Sequence, residues 1–471
     1  MRPTTLAIAA AIAVGAAGSL WAAETGSQPA NRTALALTLY GNGLALIKDQ
    51  RQIDLPPGIN DLSITGVSPQ MIPDSLYLNH APGLRMLTRT LRSANLNART
   101  LLEAHVGKAV QLIRTHPQTG AESTIDATLV SVRGGVIARI GGRLVSNPVG
   151  RWAFPDIPNH LRADPILALG VESARAGPRK LGLRYLSNGL SWHAAYTANW
   201  DREAGKLRLA AWASLKNAAG IDFDNAGVQV VAGQVRRVTR PRRPMARASS
   251  TMMKSEAVSA DAGAPVREAL AGYHLYTLPE AVTLKHGETV QAVLLKPLSL
   301  PVTRELVSEG HPAVYGHVRG GAARPTHPAI RLKFDNKADE NAQPLPAGTL
   351  RLYGADKKGA AQFLGEDRIG DVPVGGRVTL NAGNAFDLTV RRAQTDFQRE
   401  GRNRFEVAFE IELRNGSAAA QTVKVVESIP GEWHLIGSDK PNTRENNQAV
   451  WRIEVPAKGR VTFNYRVRVQ T

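Results

Sequence analysis

The sequence predicts a mainly β protein: a small N-terminal β region, a small barrel-like segment, then immunoglobulin-like β-sandwich units. Three observations carry this. Phe405, Val407, Phe409, Ile411 and Leu413 alternate with Glu406, Ala408, Glu410, Glu412 and Arg414, the period-two pattern of a strand with one buried and one wet face. Val461, Phe463, Tyr465, Val467 and Val469 repeat it at the C-terminus. Short apolar runs separated by Gly, Pro and Asn turns recur through the rest of the chain, and a helical signal is confined to Asn97–His105.

Taken in order, residues 1–23 have the layout of a secretory signal. Arg2 is followed by an uncharged apolar run from Leu6 to Ala17 that ends in small residues before Leu20-Trp21-Ala22-Ala23. Cleavage there starts the mature chain near Glu24, and Glu24 to Pro29 read as a tail. Residues 24–92 form the N-terminal β domain, opening with a hairpin turned at Gly41-Asn42-Gly43. Residues 93–163 hold a short helix capped by Asn97 and then closely spaced short strands around the turns His116–Gly120 and Arg133–Gly135, the barrel-like segment, expected as a small barrel or a highly twisted sheet.

Longer strands follow in residues 164–328, the first sandwich, interrupted by an Arg-rich insert at 236–264. There Pro removes backbone donors and like charges repel, so the insert is expected to be an exposed, mobile loop. Residues 329–400 read as a hairpin and sandwich region, and 401–471 as the C-terminal sandwich. A repeated strand exit at Asn appears three times: Leu215-Lys216-Asn217, Phe334-Asp335-Asn336 and Leu413-Arg414-Asn415. It suggests three related units, with Asn suited to the exit by its amide and by its tolerance of left-handed backbone.

The chain has 471 residues, 43% of them hydrophobic, and no cysteine. Disulfides, thiol catalysis, thiolate zinc sites and a lipidated N-terminal cysteine are therefore excluded, and stability rests on burial across three or four domains. The formal charge of +18 favours polyanionic partners, which for an exported protein means anionic polysaccharide or lipid head groups and no specific nucleic acid.

Motifs that carry chemistry are missing. No nucleophile elbow, phosphate-binding glycine loop, dinucleotide fingerprint or His-Glu-x-x-His pair occurs. Ser191 and His193 flank Trp192 at a strand entry and read as scaffold. His311, His317 and His327 are the densest histidines, yet the Pro/Gly-rich stretch between them holds no carboxylate, so no metal and no cofactor is expected. Asp222–Gly227 imitates the start of a calcium loop but has Ala226 at the fifth position and Gly233 at the twelfth, and reads as a hairpin turn. The segment with functional colour is the arginine run Arg236, Arg237, Arg240, Arg242, Arg243 and Arg247, whose guanidiniums can fork onto phosphate, sulfate or carboxylate.

Several motifs occur in order: Phe334-Asp335-Asn336, the run Pro344-Leu345-Pro346-Ala347-Gly348, Gln362-Phe363-Leu364-Gly365-Glu366, Ala385-Phe386-Asp387, and Val426-Glu427-Ser428-Ile429-Pro430-Gly431-Glu432-Trp433. With Tyr185, Trp192 and Tyr196 upstream, residues from about 180 to 471 resemble the uncharacterised C-terminal domain of bacterial mucoidy-inhibitor-like secreted proteins. The resemblance implies an exported, β-rich envelope protein and supplies no catalytic residues. The expected function is a non-enzymatic binding or structural module, periplasmic or extracellular, that contacts an envelope protein or anionic polysaccharide. The alternative is a hydrolase whose carboxylates come together from distant strands.

Overall fold

The computed structural model describes residues 24–80, 82–93, 95–158, 160–233, 235–236, 266–270, 272–318, 324–337 and 342–471. The signal-like residues 1–23 and nearly all of the Arg-rich insert lie outside them. The chain is mainly β, in several sheets with a sandwich-like arrangement and no closed barrel. It divides into two compact units, one of Met1–Leu37, Leu46–Gly189 and Ala218–Ala226, the other of Thr38–Ala45, Leu190–Asn217 and Gly227–Thr471.

In the first unit a four-stranded sheet runs in the order Glu24–Ser27, Gly58–Ile64, Ile166–Ser173, Leu84–Arg92. Its first pair is parallel and the others antiparallel. Glu24–Ser27 is thus a strand, where the sequence read as a tail. What holds it is a buried polar knot: the Ser27 carbonyl accepts from Thr65 N at 2.9 Å and from Arg51 Nη1 at 3.2 Å, and Arg51 in turn is paired with buried Asp49 at 2.9 Å. Within the same unit residues 46–55 of the strand Leu44–Leu55 lie beside Gly177–Asn188, and Tyr77–His80 takes the outer edge.

Because Leu84–Arg92 pairs directly with Ile166–Ser173, the residues between them form an excursion from the sheet. It opens with helix Ala98–Ala104, capped as expected: Asn97 accepts from the amides of Arg99 and Thr100, and Thr100 reciprocates. Of the two forms expected, barrel or twisted sheet, the barrel does not close: the strands make an open antiparallel sheet in the order Arg143–Ser146, Ile137–Ile140, Glu122–Ser131, Ala109–Thr115, Arg151–Ala153. Edge strands of four and three residues are too short to curl around and pair with each other. Leu102, Trp152 and Phe154 cover its small core of Val110, Ala127, Leu129 and Ala138.

In the second unit a five-stranded sheet runs Thr289–Pro301, Lys206–Asn217, Leu190–Asp201, Gly348–Ala355, Ala361–Ile369, with one parallel pair at its third junction. Phe223–Ala232 is a strand from its first residue, so the hairpin turn expected at Asp222–Gly227 is not formed. Two further sheets pack as a sandwich. One has the order Arg377–Asn384, Ala329–Asp335, Thr303–Gly310, Gln421–Glu427, Gln448–Val455, Thr443–Glu445; the other Leu388–Arg399, Arg404–Asn415, Arg460–Gln470, Glu432–Ser438. Their shared core contains Leu306, Phe405, Phe409, Trp451, Phe463 and Tyr465. All five alternating residues from Phe405 to Leu413 are buried, and Val407 pairs with Val467 as the two patterns demand.

The three Asn exits share one device. Asn217, Asn336 and Asn415 are buried, and each amide Nδ2 donates to the carbonyl of a crossing turn: Leu284 at 2.9 Å, Pro373 at 3.2 Å and Pro456 at 3.1 Å. The residue before each Asn then pairs with the first residue of the next antiparallel strand, Lys216 with Thr289, Asp335 with Arg377 and Arg414 with Arg460. None of the three has positive φ, so the amide and not left-handed backbone explains the choice of Asn.

Candidate functional site

Within the second unit the Pro344-Leu345-Pro346 segment crosses the end of the five-stranded sheet and is held by three kinds of contact. Tyr276 Oη donates to the Pro344 carbonyl at 2.9 Å and Tyr196 Oη to the Pro346 carbonyl at 2.7 Å. Leu345 exchanges both backbone bonds with Val372 at 2.8 Å. Asp371 then accepts from the Ala347 amide at 2.8 Å. Two prolines leave carbonyls without matching amides, and the buried tyrosines supply the missing donors. Burial, with Tyr276 and Asp371 adding to it, pushes the Tyr196 hydroxyl far above the usual tyrosine range, so it stays protonated and donating.

These residues border a cavity of about 170 Å³, lined by Gly233, His274, Tyr276, Pro346 and Asp371 among others. It is smaller than the roughly 300 Å³ at which small-molecule sites begin, so it suits one side chain or a comparably small group. Two of its polar groups are committed to backbone, Tyr276 to the Pro344 carbonyl and Asp371 to the Ala347 amide.

A second cluster has the composition of a catalytic centre but not its access. Glu427, at the end of Gln421–Glu427, is fully buried; its Oε1 receives Arg392 Nε and its Oε2 receives Tyr315 Oη, both at 2.8 Å. Tyr315 and Tyr465 share a hydroxyl contact of 2.8 Å, and Arg392 also reaches the Ser308 carbonyl and hydroxyl. Gly310 stands opposite Glu427 in register, and a side chain there would strike the carboxylate. Burial, reinforced by the Glu427 charge, drives both tyrosines well above their usual range. Burial opposes the charge on Arg392, yet Glu427 beside it carries its pKa above the usual value. Every partner is satisfied inside the sandwich core, which makes this a structural lock.

The residues singled out from sequence are dispersed. Arg236 is described and exposed, whereas Arg237, Arg240, Arg242, Arg243 and Arg247 lie outside the described residues. Trp192 is buried with Nε1 on the Val231 carbonyl at 3.1 Å, and His193 faces outward. His311 accepts from Ala313 N, while His327 contacts the Leu388 carbonyl at 2.8 Å and stacks on Phe386. Among the described residues no three His, Asp or Glu side chains gather as a metal-sized group. Nor is any helix of the described residues long and apolar enough to cross a membrane. His274, Asp371 and the Arg392 partner of Glu427 were missed by the sequence reading. Each comes from a strand or strand end remote from its partner and carries no local motif.

Comparison with curated proteins finds no match. Residues 181–471, from the strand carrying Tyr185 to the C-terminus, match the domain of unknown function DUF4139. That stretch includes the Pro-Leu-Pro crossing, all three Asn exits and the Glu427 lock, and by it the chain belongs to the DUF4139 family.

Proposed function

We propose that this protein is an exported, non-enzymatic module of a bacterial cell envelope, akin to mucoidy-inhibitor-like secreted proteins, which contacts proteins or anionic polymers. One observation carries the reading: the buried Glu427, Tyr196 and Tyr276, with the exposed Asp371, are spent on scaffold. Glu427 is locked by Arg392 and Tyr315, and Tyr196, Tyr276 and Asp371 hold the backbone of residues 344–347. What remains for partners is surface and charge. Six arginines fall between Arg236 and Arg247 in a chain of net charge +18, and Arg236 is exposed.

Arginine forks on sulfate or carboxylate account for polymer contact, and screening sets its salt dependence. The test is retention of the mature chain on immobilised alginate across a salt gradient, with and without residues 236–247. Earlier elution of the deletion is expected, and elution at the same salt refutes the polymer contact. Export is checked separately by fractionating cells and measuring whether the mature mass corresponds to loss of residues 1–22 or 1–23.

A further inference from the structure

The first unit contains two sheet edges that lie side by side. Among the described residues Tyr77–His80 is paired only on the side of Gly177–Asn188, and Leu84–Arg92 only on the side of Ile166–Ser173. Between them lies a groove of about 330 Å³, lined by Leu76–Leu78 on one wall and Met86–Arg89 on the other. Leu76 is buried in its floor, while Tyr77 and Leu87 stand on its rim at 57% and 38% exposure. Arg89 Nη1 bridges the walls to the Leu76 carbonyl at 2.6 Å, and the Arg184 guanidinium lies 4.5 Å over the Tyr77 ring. Neither arginine has a carboxylate partner among the described residues.

We propose that this groove binds an extended, acidic and apolar segment of a partner protein, which adds as a strand to the open edge at Tyr77–His80. It goes beyond the polymer contact proposed above and does not depend on it. Unpaired amides and carbonyls along an edge call for another strand. The apolar floor takes every second side chain of such a strand, and the intervening ones meet Arg89 and Arg184, so acidic residues are favoured there.

The same arginines decide against other occupants. A second copy docking by two-fold symmetry would bring cations toward cations, and the chain's own Arg-rich segment has the wrong sign. The register break beside Leu87, between Gly170 and Val171, and the arginines are also devices that deter indiscriminate edge pairing. They leave a strand bearing carboxylates as the acceptable guest.

The test uses fluorescein-labelled octapeptides and anisotropy with the full mature chain. The probes are an alternating Glu-Val peptide, its Lys-Val counterpart, and a Glu-Val peptide with two central prolines that remove edge-bonding amides. Saturable binding of the first is expected, with the other two at least about tenfold weaker. Leu87→Asp should weaken it by about tenfold without moving the melting temperature, since that side chain is exposed, and Arg89→Glu should weaken it likewise while lowering the melting temperature slightly, because Arg89 also bonds the Leu76 carbonyl. Deleting residues 236–247 should leave groove binding unchanged, which separates this test from that of the polymer contact.

The proposal is overturned by absent saturation, by equal binding of the basic or proline peptide, or by binding lost on the 236–247 deletion but kept in the groove variants. It is also overturned if sedimentation shows a dimer that Leu87→Asp dissociates, because a second copy would then occupy the groove.

Discussion

Glu427→Leu is the most exacting test of the C-terminal sandwich. Glu427 is wholly buried and its partner Arg392 keeps only 13% of its side chain exposed, so the substitution strands a guanidinium in the core. Removing one member of a buried pair typically costs about 3–5 kcal/mol, because the survivor keeps its desolvation penalty without its Coulombic reward. Tyr315 loses its acceptor as well but retains the Tyr465 hydroxyl at 2.8 Å, so little is added on that side. At about 2–4 °C per kcal/mol the unfolding midpoint of this unit should fall by roughly 6–20 °C.

The double variant Glu427→Leu with Arg392→Met removes both charges and should recover most of the loss, since apolar replacements of whole buried pairs are often neutral or better. The assay is urea denaturation read by hydrogen exchange in peptides from residues 404–470, which isolates the sandwich from the rest of the chain. A single variant costing less than about 1 kcal/mol, or a double variant as unstable as the two singles summed, would refute the account of this cluster as a charge-balanced lock.

Two further outcomes are open to direct measurement. Hydrogen bonds from Lys424 and Arg452 depress the Glu445 carboxyl to about 2. A depressed carboxylate adds stability that is present above its unfolded value near 4.3 and is lost as pH falls toward 2. Glu445→Gln should therefore flatten the acid limb of the stability profile between about pH 4.5 and 2. The effect should be small because Glu445 is partly exposed, and a steeper acid limb in the variant would contradict it. Asn415→Ala removes donation to the Ala419, Val455 and Pro456 carbonyls and should cost about 1–3 kcal/mol, with Asn336→Ala behaving alike. Unchanged urea midpoints in both would dissolve the Asn device.

Much of the sandwich was legible because its signals are local. The alternation from Phe405 to Leu413 predicts which face is buried, and pairing with Val461–Val469 follows once both strands must hide the same face. Asn97 could be recognised as a cap because the capping box lies within four residues. Failures came where partners are distant or boundaries depend on length. Nothing near Glu24–Ser27 signals that Arg51 and residues 58–64 will receive it as a strand. The short strands of residues 109–153 look alike whether a sheet closes or stays open, since closure depends on the summed reach of its edges.

The sequence by itself determined the β class, the absence of cysteine chemistry, the strong positive charge and the registers of the terminal strands, because periodicity and composition are properties of neighbouring residues. Only the tertiary structure decided that Glu427, Arg392, Tyr315 and Tyr465 meet, that two tyrosines and Asp371 clasp the Pro-Leu-Pro crossing, and that two edges frame a groove below Tyr77 and Leu87. These join residues up to 150 positions apart, and such meetings are set by which sheets bury one another, a choice made by the whole core and written in no short stretch of chain.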